Sequence, residues 1–109
     1  MTVRSDRMSP ETLVCRIDAG TAPVILDVRS RAEFVRGHVP GALHIPFWRV
    51  ARRITEVKAP LDAEVVVYCG HGPRAVVAKR ALRRHGFTRI ATLDGHFSGW
   101  RRDGLREET

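Results

Sequence analysis

Two runs of the chain, Pro23-Val24-Ile25-Leu26-Asp27-Val28 and Ala63-Glu64-Val65-Val66-Val67-Tyr68, are apolar at consecutive rather than alternate positions. A β-strand sends successive side chains to opposite faces, so such runs must be covered on both sides. A mainly parallel sheet between layers of helix meets that condition, and the intervening sequence supplies the helices. Ser9-Pro10-Glu11-Thr12 opens one, with serine as N-cap and proline at the first helical position, and Gly20 falls beyond its end. Arg31–Arg36 reads as a short helix stopped by Gly37. The stripe Phe47, Val50, Ala51, Ile54 and Val57 predicts another helix over 47–57. Ala75–His85 predicts a longer one with Val77, Ala78, Ala81 and Leu82 as its apolar face, closed by Gly86 with Phe87 packing back. Ala42–Ile45 and Arg89–Leu93 read as further strands, and Phe97–Arg102 as a last short helix. In sheets of this kind ligands sit beyond the carboxyl ends of the strands.

With 109 residues, 43% of them hydrophobic, the chain has material for one core. No run of about eighteen apolar residues occurs, so no membrane-spanning helix is expected. Residues 1–7 mix charges of both signs without an apolar stretch and read as a polar tail, which makes the cytoplasm the expected location. The formal net charge of +7 comes in small groups: Arg49, Arg52 and Arg53; Lys79, Arg80, Arg83 and Arg84; Arg101 and Arg102. Spread along the chain, at helical spacing opposite apolar residues within Lys79 to Arg84, and without interleaved aromatics, these read as solvated faces rather than a nucleic-acid surface. Their field should still draw small anions. The five histidines show no ligand spacing and the two cysteines stand far apart, so no metal is expected. No cofactor fingerprint and no surface stripe for self-association appear, and a monomer is expected.

The two cysteines differ in their neighbours. Cys15 falls inside the first helix, where it reads as a small buried hydrophobe. Cys69 follows the strongest strand and opens Cys69-Gly70-His71-Gly72-Pro73-Arg74-Ala75 ahead of a helix. A free thiol, with a pKa of about 8.5, is a poor nucleophile at neutral pH. Three features here would lower that value. Loop amides and the helix N-terminus aim partial positive charge at one spot. Gly70 and Gly72 let the backbone curl into an anion-holding nest. Arg74 brings a full charge to the far end, while Pro73 removes a donor that would go unpaired. A mere packing turn would not need glycine, histidine and arginine together.

The chain resembles the rhodanese-like domains over about Met8 to Leu105. The resemblance rests on Leu26-Asp27-Val28-Arg29, Glu33-Phe34, Gly37-His38-Val39-Pro40-Gly41-Ala42 and Ile45-Pro46. It continues through Val65-Val66-Val67-Tyr68-Cys69, Gly72-Pro73-Arg74, Gly86-Phe87 and Leu93-Asp94-Gly95 leading to Trp100. Each piece is weak alone; in this order the set is specific. The resemblance implies an α/β fold with a five-stranded, mainly parallel sheet flanked by helices on both faces. It sets the domain at 8–105, between the tail at 1–7 and a short C-terminal tail at 106–109. It implies a sulfurtransferase, in which the thiolate of Cys69 takes a sulfane sulfur from thiosulfate or a persulfide and yields it to cyanide or a thiol. Residues Gly70 to Ala75 would hold the substrate. Cys69 and Arg74 enclose four residues, the shorter loop of sulfurtransferases; the related phosphatases and arsenate reductases enclose five.

The resemblance also implies that Asp27 and Arg29 support the fold beneath the active loop. Glu33 and His38, at family positions, need no chemical role beyond capping. Arg49 and Arg53 are candidates for guiding anionic donors, and His71 for donating to a sulfur anion. One departure stands out: relatives commonly carry two adjacent glycines before the tryptophan, whereas here His96 follows Gly95. If that position needs a positive φ, the loop is reshaped or His96 reaches the site mouth. Two further readings differ in class: a sulfur carrier or sensor docking to a protein partner, and a silent binding domain, against which the intact Cys69 argues.

Overall fold

The structure, a computed structural model, describes residues 6–109. Five strands, β1 (Arg7–Met8), β2 (Val24–Asp27), β3 (Leu43–His44), β4 (Glu64–Tyr68) and β5 (Arg89–Leu93), form one sheet in the order β1-β5-β4-β2-β3. Every pairing is parallel. Helices α1 (Pro10–Asp18), α2 (Arg31–Arg36), α3 (Pro73–His85) and α4 (His96–Arg102) complete the α/β architecture. Of the tail read over 1–7, residues 1–5 lie outside the described residues, while Arg7 already belongs to β1. That strand is two residues long and carries no periodicity that a sequence reading could detect. At the other end, Glu108 pairs through its backbone with His38, which lays residues 106–109 back against the domain.

The consecutive apolar runs are covered on both faces, as their pattern requires. Val65, Val67 and Cys69 of the β4 segment join Leu26 and Val28 under Ala75, Ala78 and Leu82 of α3. Val66, Tyr68 and Ile25 point the other way, against Leu13 of α1 and Phe97 and Trp100 of α4. β4 lies between β5 and β2, so the loop after it opens near the middle of the sheet's carboxyl edge. α1 starts where its cap predicts, the Ser9 Oγ accepting the Thr12 N–H at 3.1 Å. Gly86 closes α3 at φ +119°, and the Phe87 N–H returns to the Leu82 carbonyl at 3.1 Å.

Three expectations are corrected. The stripe over 47–57 forms two 3-10 turns, Phe47–Arg49 and Ile54–Glu56, in place of one α-helix. No side chain caps the first turn, and a spacing close to three residues serves a 3-10 turn as well. Val50, Ile54 and Val57 are buried all the same. In α3, Val77 is exposed, because Ala75 and Ala78 set the helix rotation and position 77 lies about 200° round from Ala75. Cys15 is exposed rather than buried, since it stands two residues, again about 200°, from the core-facing Leu13.

Candidate active site

The turn after β4 is held by its neighbours before any ligand is considered. The Cys69 carbonyl accepts the Phe97 N–H at 2.9 Å and the Gly70 carbonyl accepts the Ser98 N–H at 3.2 Å, which ties the turn to α4. Gly72 sits at φ +135°, a conformation side chains rarely adopt, and from there its N–H donates to the Cys69 Sγ at 2.9 Å. The glycine at 70 makes room in a different way. A Cβ there would lie 3.1 Å from Arg74 Nη2, which leans back over the turn.

Cys69 is fully buried, and burial pushes its thiol up; hydrogen bonding outweighs this and brings it down to about 7. The His96 side chain makes the largest single lowering contribution, followed by the amides of Ala75, Gly72 and His71. The balance favours the thiolate relative to a free thiol. The turn therefore uses the amides of 71, 72 and 75 on the sulfur, while the His71 side chain stays exposed to solvent.

His96 is the departure singled out in the sequence, and it occupies the strained backbone that the glycine pattern implies, at φ +51°. That conformation swings the ring over the turn. Its Nδ1 accepts the Cys69 N–H at 3.3 Å, and its Nε2 comes within 3.4 Å of where a Gly72 Cβ would be. With Nδ1 accepting, the proton of the neutral ring belongs on Nε2.

Arg74 reaches across to α2, its Nη1 and Nη2 donating to the two Glu33 carboxylate oxygens at 2.7 and 3.2 Å. Glu33 also completes a capping box with Ser30, so it is fixed at both ends and its carboxyl is lowered to about 2, the Arg74 bond being the main cause. The capping reading of Glu33 is correct but incomplete. The capping box engages Oε1, which also takes the shorter Arg74 bond, while Oε2 accepts only from Arg74.

Asp27 and Arg29 lie at the neighbouring strand end. The Asp27 Oδ2 accepts from Arg29 Nη2 at 2.7 Å and from the Tyr68 hydroxyl at 2.6 Å, while Arg29 Nη2 also donates to the Gly37 carbonyl. Tyr68 accepts the Val39 N–H in turn, and burial with the Asp27 charge pushes its hydroxyl far above the usual tyrosine range. Arg29 lies 4.0 Å above the Phe97 ring. Tyr68 is the member of this network that sequence reasoning missed; parallel pairing of Asp27 with Tyr68 brings them together. Arg53 spends its guanidinium on Glu56, and neither it nor Arg49 lines the cavity beside the turn.

That cavity, of about 450 Å³, opens beside Gly70 with Phe97 and Ser98 against it. Its walls carry Arg36, Arg101 and Arg102, for which the sequence gave no spatial signal. Among the described residues no cluster of histidine, cysteine, aspartate and glutamate is placed to hold a metal, and no helix is long and apolar enough to cross a membrane.

Comparison with known proteins bears on this geometry. The family model of the rhodanese-like domain matches residues 9–103. A sulfurtransferase of Allochromatium vinosum is 32% identical over 100 residues, spanning 92% of this chain and 92% of its own. The thiosulfate sulfurtransferase GlpE of Pseudomonas fluorescens is 35% identical over 95 residues, covering 87% of this chain and 84% of that protein. The crystal structure of the Alr3790 protein from Anabaena superposes with a TM-score of 0.83 at 27% identity, over 93% of this chain and 81% of that one.

Proposed function

We propose that this chain, which belongs to the rhodanese-like domain family, transfers sulfane sulfur by way of a persulfide on Cys69. The Cys69 thiolate attacks the outer sulfur of thiosulfate; the S–S bond of the donor breaks, sulfite leaves with the electron pair, and Cys69 carries an ionised persulfide. A thiophilic acceptor, cyanide or a thiolate, then attacks the outer sulfur, and the Cys69 thiolate departs with the pair from the broken S–S bond. The observation that carries this reading is the buried sulfur under the Gly72 amide and beside His96, with its thiol brought to about 7. At neutral pH a large share of Cys69 is then ionised, in a site that stabilises negative charge with donors already in place. The same donors serve the terminal sulfur of the persulfide, which stands about 2 Å farther out. Arg74, clamped by Glu33, supplies a fixed cation beside the turn, and Asp27, Arg29 and Tyr68 hold the adjoining strand end.

The turn's four enclosed residues favour sulfur over a tetrahedral oxyanion, and the relatives named as sulfurtransferases favour the same chemistry. The test is the mass of the protein after thiosulfate. The wild type gains one sulfur, which cyanide removes, and Cys69→Ser gains none. A wild type that gains nothing, or a gain that persists in Cys69→Ser, overturns the reading. Steady turnover with thiosulfate and cyanide separates an enzyme from a carrier that exchanges sulfur only with protein partners.

A further inference from the structure

Sulfur transfer at Cys69 gives no chemical task to the run Gly37-His38-Val39-Pro40-Gly41, and the segment after α4 docks on it. The His38 N–H donates to the Glu108 carbonyl at 2.9 Å, and the Glu108 N–H to the His38 carbonyl at 2.8 Å. The Glu108 Oε1 accepts the Gly41 N–H at 3.0 Å. Trp100 Nε1 donates to the Arg106 carbonyl at 2.9 Å, and Arg106 Nη2 reaches Asp18 at 3.2 Å. These bonds fix the backbone on both sides of residue 107, so the Glu107 side chain is held in place. A Cβ at Gly37 would overlap the Glu107 carboxylate, which fills the space that glycine leaves. There it takes two bonds from Arg101, Nε to Oε2 at 3.1 Å and Nη2 to Oε1 at 2.9 Å. The Arg101 guanidinium first, and then the charge of Arg29, hold this carboxyl below the usual carboxylate range. Arg101 lines the cavity beside Gly70. A guanidinium offers donors at Nε and at both Nη atoms, so the side-on pair with Glu107 leaves Nη1 for whatever enters. The Arg101 side chain is about half exposed, and an ion pair so placed adds little stability. Its larger consequence is electrostatic: it cancels one positive charge on a wall that an anion must approach.

Building on the sulfur-transfer reading, we propose that Glu107 is a positioning residue for the donor. Acting through Arg101, it sets how much negative charge the cavity beside Gly70 accepts, and so how well a dianionic sulfur donor competes with a monoanionic one. Thiosulfate is the dianion and an organic thiosulfonate the monoanion, and both give up the same outer sulfur. The Cys69 thiolate attacks that sulfur, the S–S bond of the donor breaks, and sulfite or a sulfinate leaves with the electron pair. The Glu107 carboxylate opposes the approach of the dianion twice as strongly as that of the monoanion. It bonds to Arg101 and not to the turn that holds Cys69, so it acts on donor binding and leaves the chemical step alone.

The test is steady-state turnover with cyanide as acceptor and either thiosulfate or methanethiosulfonate as donor. Glu107→Gln is expected to raise kcat/KM for thiosulfate by roughly threefold to tenfold, through a lower KM, and that for methanethiosulfonate by only about twofold to threefold. In both cases kcat stays within about twofold of the wild type. Glu107→Asp keeps the charge, and its preference between the donors stays within about twofold of the wild type. Asp18→Asn removes the same charge from the other ion pair of this segment, away from the cavity, and changes either KM by less than about twofold. Sulfate, an unreactive dianion, reads binding without turnover: followed by the amide shifts of Gly70, Phe97 and Ser98, it binds Glu107→Gln more tightly by roughly threefold to tenfold. An unchanged or raised thiosulfate KM, an equal gain for both donors, a change in kcat in place of KM, or the same gain from Asp18→Asn overturns the proposal. Wild-type turnover that ignores Glu107→Gln defeats the role of Glu107 alone. Sulfate that tightens on a chain that never turns over defeats the sulfur-transfer reading, and with it the donor role.

Discussion

At the end of β2, every strong charge already has its partner. Asp27 takes hydrogen bonds from Arg29 and Tyr68, Arg29 also donates to the Gly37 carbonyl, and His44 contacts the Arg29 carbonyl at 2.8 Å. At the end of β4, the adjacent strand in the same sheet, the turn gathers donors around a single sulfur that supplies at most one negative charge. Both ends are buried and both lie at the carboxyl edge, so position in the fold does not separate them. The balance of donors and acceptors does. A closed network resists change and holds its neighbour still; an excess of donors leaves room for a second anion, which the proposed sulfur transfer would make the outer sulfur of a persulfide or a departing sulfite.

If the β2 end is closed in this sense, damage there should fall on stability. Asp27→Ala leaves the Arg29 guanidinium buried and unpaired, and the expected loss is about 3–5 kcal/mol in urea unfolding. A loss below about 1 kcal/mol would mean that the network holds nothing in place. At the β4 end the corresponding effect is smaller and depends on pH. The folded thiol titrates at about 7 and the unfolded one at about 8.5. Between those values the unfolded chain keeps a proton that the folded chain has released. Stability therefore rises with pH through this window and is lost as pH falls through 7. Relative to Cys69→Ser, the wild type should gain about 2 kcal/mol from pH 6.5 to pH 9. A flat difference would put the sulfur outside the field of the turn.

The smallest expected effect is the most specific to this chain. His96→Gly removes a ring that lowers the thiol and also relieves a non-glycine residue at φ +51°. The two consequences should oppose each other. The Cys69 midpoint moves up by about one unit, while the fold gains about 1 kcal/mol. A variant with a stabilised fold and an unmoved thiol would reduce His96 to a tolerated strain.

The fold was legible in the sequence where the signal was strong and local. The consecutive apolar positions of β2 and β4, the Ser9 start and the Gly37 and Gly86 stops all describe elements whose reasons lie within a few residues. The segment over 47–57 misled because its apolar spacing suits two helix types and only capping and backbone bonding decide between them. Cys15 and Val77 misled because a helix's rotation is fixed by what it packs against, and sequence periodicity leaves that angle loose by a residue. The site divided in the same way. Cys69 and its glycines announce themselves along the chain, and His96 stood out against the glycine pattern. The clamp between Glu33 and Arg74, the Tyr68 bond to Asp27 and the arginines around the cavity depend on register between distant strands and helices, which no local pattern encodes.

Titrating the thiolate absorbance of Cys69 in a Cys15→Ser background, folded and again in urea, puts the electrostatics of the turn to a direct trial. A folded midpoint near 7 that moves up to about 8.5 on unfolding is the outcome expected from the amides of 71, 72 and 75 and the ring of His96. A folded midpoint at or above that of the unfolded chain would contradict it.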